Sequence, residues 1–338
     1  MENGRYVDDI YGRADTIDEA KETALQVSQL CMAGSFPLRK WTSNDPRVLT
    51  DIPAQYHNPI HARSIQDDVV HALGLPWNPR SDALHFHFTR SVSEQPSKRA
   101  VLSCIAQFFD PLVLQELWAI KLSWDEQLPD SQRQTWHGIL QLIVGLETIE
   151  IPRWLGTTSE MSLDLHGFCD ASQSAAVLYA HVFRPLCEAH TALLCSKTKV
   201  APLKRMTIPR LELSAAVMLT KLVSNVQRVL NVPIHGVHFW TDSSIVLTWL
   251  NHHPSRWKEF VQNRVCFIQE ALPQARWRHI SGKTNPADCA TRGLSASQLS
   301  NHQLWWSRPS WLMILRSGQI VLHHQFQTNL LPWKNESL

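Results

Sequence analysis

The sequence predicts an α/β chain (α+β, multi-domain) in which a mostly helical stretch precedes a mixed five-stranded sheet with flanking helices. Three observations predict it. From Leu163 onward, short apolar runs of strand length alternate with amphipathic segments of helix length. Between residues 99 and 147, apolar residues recur at helical spacing. Four acidic residues, Asp170, Glu212, Asp242 and Asp288, each stand where a strand ends or a helix begins.

The elements follow in order. Residues 5–12 (Arg-Tyr-Val-Asp-Asp-Ile-Tyr-Gly) read as a hairpin with Asp8 and Asp9 at its tip. Thr16, with Glu19 three residues on, caps a helix whose apolar positions are Ala20, Leu25, Val27 and Leu30, and Gly34 ends it. Strand-like pieces follow at Phe36–Trp41 and Leu73–Trp77, between polar, turn-rich stretches at 42–70 and 78–98. Val101, Leu102, Ile105, Phe108 and Phe109 form a helical stripe that Pro111 breaks. Leu114, Leu117, Trp118, Ile120, Leu122 and Trp124 form a second, and a third helix runs from Pro129 through Leu142. Ile151-Pro152-Arg153 reads as a linker.

Strands are expected at Leu163–Asp170, Ala176–Phe183 and Ala192–Val200. Thr207 caps a long helix with Pro209 in its first turn, where a missing N–H costs nothing. Leu211, Ala215, Met218 and Leu222 line its core face, and Glu212 sits beside them. A helix start favours a carboxylate in any case. Val237–Thr241 is a strand ending at Asp242, followed by a short helix over Ser243–Leu250. Trp257, Phe260, Val261, Val265 and Ile268 mark the cleanest amphipathic helix. Arg276–Ile280 is the last strand. Asn285 then caps a helix with Pro286 first and Asp288 three residues after the cap, and Gly293 stops it. Residues 295–338 show no period despite the Trp305-Trp306 pair.

Composition narrows the function classes. The 338 residues suffice for two or three domains. A net charge of +2 gives no global basic signal, so any nucleic-acid surface is local. Seven cysteines with no C-x-x-C pair argue against a disulfide framework or a zinc ribbon, and for a reduced intracellular compartment, cytoplasmic or nuclear. His252-His253 and His323-His324 lack companion ligands at zinc spacing and read as surface residues. No apolar run long enough for a membrane span and no signal peptide are expected. Most of the 14 tryptophans, Trp240 and Trp249 among them, read as core.

The carboxylates carry the chemistry. Asp170 lies in Phe-Cys-Asp-Ala-Ser, Glu212 in Pro-Arg-Leu-Glu-Leu, Asp242 in Trp-Thr-Asp-Ser-Ser and Asp288 in Asn-Pro-Ala-Asp. Any one of them alone reads as a turn or cap. Their order D…E…D…D matches the order in which an RNase H-type nuclease fold presents its metal ligands. Carboxylate oxygens are the donors that Mg²⁺ and Mn²⁺ prefer, and two such ions about 3.5–4 Å apart hydrolyse phosphodiesters. Lys197, Lys199, Lys204, Arg205 and Arg210 cluster between the third strand and the long helix, as candidate phosphate contacts or a solvated face. His279, in the strand before the last acid, reads as structural rather than as a proton shuttle.

At this point the chain resembles the polyproteins of Pao/BEL-type LTR retrotransposons. Tyr6-Val7-Asp8-Asp9 is similar to the Y-x-D-D box of reverse transcriptases. Further matching segments are Phe36–Asn44, Leu73–Trp77, Ile105–Leu112, Leu117-Trp118 with Trp124-Asp125, His166–Ser172, Val200–Lys204, Ile208–Leu213, Phe260–Val265 and Asn285–Asp288, and the resemblance runs from Tyr6 to Leu312, about nine-tenths of the chain. The resemblance implies an architecture. Residues 1–80 correspond to the end of a reverse transcriptase palm, 81–158 to a mostly helical thumb and connection (the Pao-type peptidase region), 159–295 to an RNase H-like domain and 296–338 to a tail or linker. It implies Asp8 and Asp9 as polymerase metal ligands. It implies Asp170, Glu212, Asp242 and Asp288 as catalytic ligands of two Mg²⁺ or Mn²⁺ ions, with an RNA–DNA hybrid or other nucleic acid, and other polyprotein parts, as partners.

Departures from the family pattern set further expectations. Five residues precede the Y-x-D-D box, so the chain reads as a truncated or domesticated piece in which DNA synthesis is incomplete. About a dozen residues are missing after Leu112, and the segment after Ser172 is slightly short. No Asp-Thr-Gly or Asp-Ser-Gly protease signature occurs. The expected function is hydrolysis of RNA in RNA–DNA hybrids; the alternative is an inactive nucleic-acid-binding remnant.

Overall fold

The computed structural model describes residues 5–6, 9–58, 70–72, 75–86, 96–105, 122–158, 161–171, 174–183, 190–199, 206–230, 232–292, 294–307, 309 and 312. The expected hairpin forms: β1 (Arg5–Tyr6) pairs antiparallel with β2 (Asp9–Ile10), with Tyr6 opposite Asp9. Asp9 is exposed on β2, and Asp8 lies outside the described residues. Helix α1 (Ile17–Ala33) starts where Glu19 N–H donates to Thr16 Oγ1 at 3.2 Å. Its buried positions are Ala24 and Val27, whereas Leu25 and Leu30 face solvent. The reason is local: among the described residues, α1 packs mainly on the short 3-10 helix at Pro46–Leu49, which covers one narrow stripe. Phe36–Trp41 is not a strand. Ser35 and Lys40 adopt positive φ of 61° and 59°, which breaks an extended run at both ends, and Phe36 is 76% exposed.

A four-stranded antiparallel sheet follows, built from β3 (Val70–Ala72), β4 (Leu75–Asn78), β5 (Ala83–His85) and β6 (Glu150–Pro152). The expected linker at Ile151-Pro152-Arg153 is therefore largely strand. Ile151 pairs with Leu84, and the Arg153 guanidinium grips Asp82 through two bonds of 2.6 and 2.9 Å. Three residues are too few for alternation to show in sequence. Helices α2 (Lys98–Ile105) and α3 (Asp130–Ile143) share a small core of Val101, Leu122, Leu128, Trp136 and Leu140. The second expected stripe falls mainly on residues outside the described ones. Its last members, Leu122 and Trp124, lie in irregular chain.

The larger unit is the mixed five-stranded sheet that the pattern predicts. Its strands are β7 (Ser162–Asp170), β8 (Ser174–Phe183), β9 (His190–Lys199), β10 (Ile234–Thr241) and β11 (Arg276–His279), in the order β11-β10-β7-β8-β9. β7, β8 and β9 are antiparallel; β10 runs parallel to β7 and β11. β7 is buried along most of its length, as a central strand covered on both faces must be.

Alternation divides β7 between two cores. Leu163, Leu165 and Cys169 face α4 (Ile208–Val229), α5 (Ser244–Leu250) and α6 (Glu259–Ala271), where Leu213, Leu219, Val223, Phe239, Val265 and Ile268 complete the main core. Each such fully buried side chain contributes about 1.5–3 kcal/mol. Phe168, Val177, Tyr179 and Trp240 face the other way. They meet Ile280, just after β11, Ala287 of α7 (Pro286–Arg292), and Trp305 of α9 (Gln303–Ser307). A short helix, α8 (Ala296–Ser300), precedes α9. Tyr179 Oη donates to the Trp305 carbonyl at 2.7 Å, fastening α9 to the sheet. Helices α8 and α9 are too short for periodicity to reveal.

Candidate active site

Strand pairing brings two of the four acids together. Cys169 of β7 stands opposite Thr241 of β10 in a parallel ladder, so the next residues, Asp170 and Asp242, emerge side by side at one sheet end. Parallel neighbours lie about 4.8 Å apart. Glu212 lies in the first turns of α4 and is tied to the same place, because Ser243 Oγ donates a short hydrogen bond to Glu212 Oε2. Ser243 also accepts from Val246 N–H at 3.2 Å, capping α5, so one hydroxyl both starts a helix and holds an acid.

Asp288 arrives by a different device. Asn285 is fully buried; its Nδ2 donates to the Cys169 carbonyl at 3.0 Å and its Oδ1 accepts from Ala287 N–H at 3.1 Å. The start of α7 is thereby bolted to the end of β7, one residue from Asp170. Asp288, the third residue of α7, is half-buried.

Electrostatics report the convergence. Burial raises the Asp242 carboxyl above its ordinary range, and Asp170, Glu212 and Asp288 each push it further up. Its Oδ1 is buried and makes no hydrogen bond, while Gly282 of the following loop lies against Oδ2, where a Cβ would stand 3.2 Å away. A buried carboxylate oxygen with no donor, among three further acids, is a costly arrangement that a divalent cation relieves. The donors are all oxygens, so the set fits Mg²⁺ or Mn²⁺ rather than zinc.

The basic candidates fall into two groups. Lys197 and Lys199 are exposed near the end of β9. Asp170, Ala175 and Thr198 form one row across β7, β8 and β9, which puts Thr198 about 10 Å from Asp170 by strand spacing. Arg210 is exposed at the start of α4, its guanidinium 4.9 Å from the centre of the Phe260 ring of α6; Arg264 lies 3.5 Å from the same ring. Lys204 and Arg205 lie outside the described residues. His279 ends β11 opposite Thr241.

The tightest group of metal-type donors among the described residues lies elsewhere. Asp164, His166 and His238, all buried, hold ligand atoms within 4.8 Å of one another. None of the histidines singled out in the sequence belongs to it. The available signal was Asp164-Leu165-His166, an i, i+2 pair on one strand face, together with a histidine in the neighbouring strand. Asn285 is legible in the sequence as a helix cap and Ser243 only as the start of a short helix; their bonds to Cys169 and to Glu212 join residues remote in sequence.

Residues 97–243 match the family described as the Pao retrotransposon-like RNaseH-like domain, a span that contains Asp170, Glu212 and Asp242. No curated protein matches the chain. Among solved structures, RNase H1 from the archaeon Halobacterium salinarum is similar over 42% of this chain and 98% of its own, at 14% identity and a TM-score of 0.25. LC11-RNase H1, isolated from compost and solved in complex with an RNA/DNA hybrid, is similar over 42% of this chain and all of its own, at 13% identity and a TM-score of 0.23. The foamy viral protease-reverse transcriptase in complex with dsDNA is similar over 82% of this chain and 54% of its own, at 12% identity and a TM-score of 0.22.

Proposed function

We propose that this chain, which over residues 97–243 matches the Pao retrotransposon-like RNaseH-like domain, cuts the RNA strand of RNA–DNA hybrids. The observation that carries the reading is Asp242: half-buried, with a buried and unpartnered Oδ1, and pressed upon by Asp170, Glu212 and Asp288. Those four residues would hold two Mg²⁺ or Mn²⁺ ions. When bound, such ions activate the attacking water and stabilise the departing 3′ oxygen. The chain's own groups do the rest. Ser243 holds Glu212 toward the site, Asn285 fixes the start of the Asp288 helix, and the Gly282 loop lies over Asp242.

Lys197, Lys199 and Arg210, with Lys204 and Arg205, are proposed to contact phosphates of the hybrid, whose RNA strand is distinguished by its 2′-OH groups. Residues 159–295 are proposed as the nuclease domain, 1–80 as a palm-like segment whose Asp8 and Asp9 resemble polymerase ligands, 81–158 as the connection and 296–338 as a tail. Other parts of a retrotransposon polyprotein are proposed partners.

Cleavage of a labelled RNA–DNA hybrid by the purified chain with Mg²⁺ or Mn²⁺ tests the reading. Asp242→Asn is expected to lower cleavage more than about 100-fold, beyond what loss of an outer-shell partner costs. A folded chain that binds the hybrid but leaves its RNA intact under both metals would overturn the enzyme reading and leave a binding role.

A further inference from the structure

We propose that Asp164, His166 and His238 form a second metal site, for one Zn²⁺-class ion, at the opposite end of the sheet from the four carboxylates. The three residues sit on one face of two adjacent strands: His166 is opposite His238 in the β7–β10 ladder, and Asp164 is opposite Gly236. Asp164 precedes Asp170 by six residues on β7, which separates the sites by about 20 Å.

Four observations support a ligand here. The donor atoms already lie within 4.8 Å of one another and the three residues are buried. His166 is 1% exposed, yet neither of its ring nitrogens has a hydrogen-bond partner. A core histidine normally satisfies at least one nitrogen. Gly236 keeps the adjacent space open: a Cβ there would stand 2.8 Å from Asp164 Oδ1 and 2.9 Å from His238 Nε2. His235, with its side chain 66% exposed, reaches Asp164 Oδ1 at 3.3 Å and so marks the way in from solvent. Two imidazoles and one carboxylate make a nitrogen-rich set that suits zinc and differs from the all-oxygen set at Asp242.

One neighbour opposes binding. Arg278 Nη1 lies 3.1 Å from His238 Nδ1. Coordination through Nε2 puts the ring proton on Nδ1, so two donors would face each other and the guanidinium must swing away. Removing that cation is therefore expected to tighten the site.

The test uses the full chain carrying Cys289→Ala, because Cys289 Sγ and His302 Nε2 lie 3.4 Å apart and offer a competing thiol–imidazole pair. Metal-stripped protein is titrated with Zn²⁺ by calorimetry in excess Mg²⁺, and with Co²⁺ by visible absorption. One Zn²⁺ per chain is expected, with a tetrahedral cobalt spectrum, and Asp242→Asn leaves it in place. His166→Gln abolishes it. Gly236→Ala, at a half-exposed position, weakens it at least about tenfold, and Arg278→Met strengthens it. Circular dichroism verifies the fold of each variant. Stoichiometry unchanged in folded His166→Gln, or affinity unchanged in Gly236→Ala, overturns the proposal. So does zinc that is lost with Asp242→Asn, which would assign the ion to the carboxylate site.

Discussion

At the level of single residues, Asp242 carries a charge that its surroundings oppose. Its carboxyl is raised by burial and by three neighbouring acids. A carboxyl held above its unfolded value of 3.8 takes up protons more readily in the folded state, so the stability it brings is present at low pH and lost as pH rises past that value. At neutral pH, without divalent metal, the charged form costs stability. Asp242→Asn is therefore expected to melt higher than the parent in EDTA, by of order a few degrees, with the gap closing as pH falls toward 3.8. Thermal melts at several pH values read this directly. Saturating Mg²⁺ should stabilise the parent more than the variant, because only the parent keeps the full ligand set. The identity of this acid was legible from Trp-Thr-Asp-Ser-Ser. Its orphaned Oδ1 was not, since that depends on what the Gly282 loop and the ends of β7 and α4 bring to it.

At the level of elements, close packing against the long helix sets a strict requirement at one position of β7. A Cβ on Gly167 would fall 2.6 Å from Leu219 Cδ1 on α4 and 3.0 Å from the Phe239 ring on β10. Both neighbours are fully buried and cannot move into solvent. Gly167→Ala is expected to lower unfolding free energy by about 1–3 kcal/mol, the usual cost of overpacking. Urea denaturation with an unchanged m-value would register it, and a neutral result would mean that β7 and α4 lie further apart than described. Four strands of this sheet were readable because each has eight to ten residues and bears one apolar face or two. The strands of the smaller sheet were not. β5 and β6 have three residues each, and their pairing rests on a contact between Asp82 and Arg153, 71 positions apart. At Phe36–Trp41 the difference runs the other way: apolar content suggests a strand, but only Trp41 makes a bridge, to His57.

At the scale of the whole molecule, burial is uneven. The main core joins three strands of the large sheet to α4, α5 and α6, while α2 and α3 share only a small cluster, and α1 buries two residues. No described helix is long and apolar enough to cross a membrane. Local stability tracks buried apolar contact. Amide hydrogen exchange is therefore expected to be slowest in β7, β8, β10 and α4, and faster in α1, α3 and the four-stranded sheet. Uniform protection across both regions would contradict this ranking. Tyr179 bonded to Trp305 predicts that α9 exchanges with the large sheet and not with the chain ends.

Local patterns in the chain are enough for the periodic parts: the strands of the large sheet and their order along the chain, the amphipathic helices, the Thr16 and Asn285 caps, and the four acids at strand ends and helix starts. These follow from local rules, because alternation, capping and Pro or Gly placement act within a few residues. Tertiary structure alone decided which groups meet. It put Asp170 beside Asp242 through the β7–β10 register, tied Glu212 to Ser243, and bolted Asn285 to Cys169. It also gathered Asp164, His166 and His238 into one buried cluster. Contacts between residues 30 to 120 positions apart depend on strand register and helix docking, and no local pattern encodes those distances.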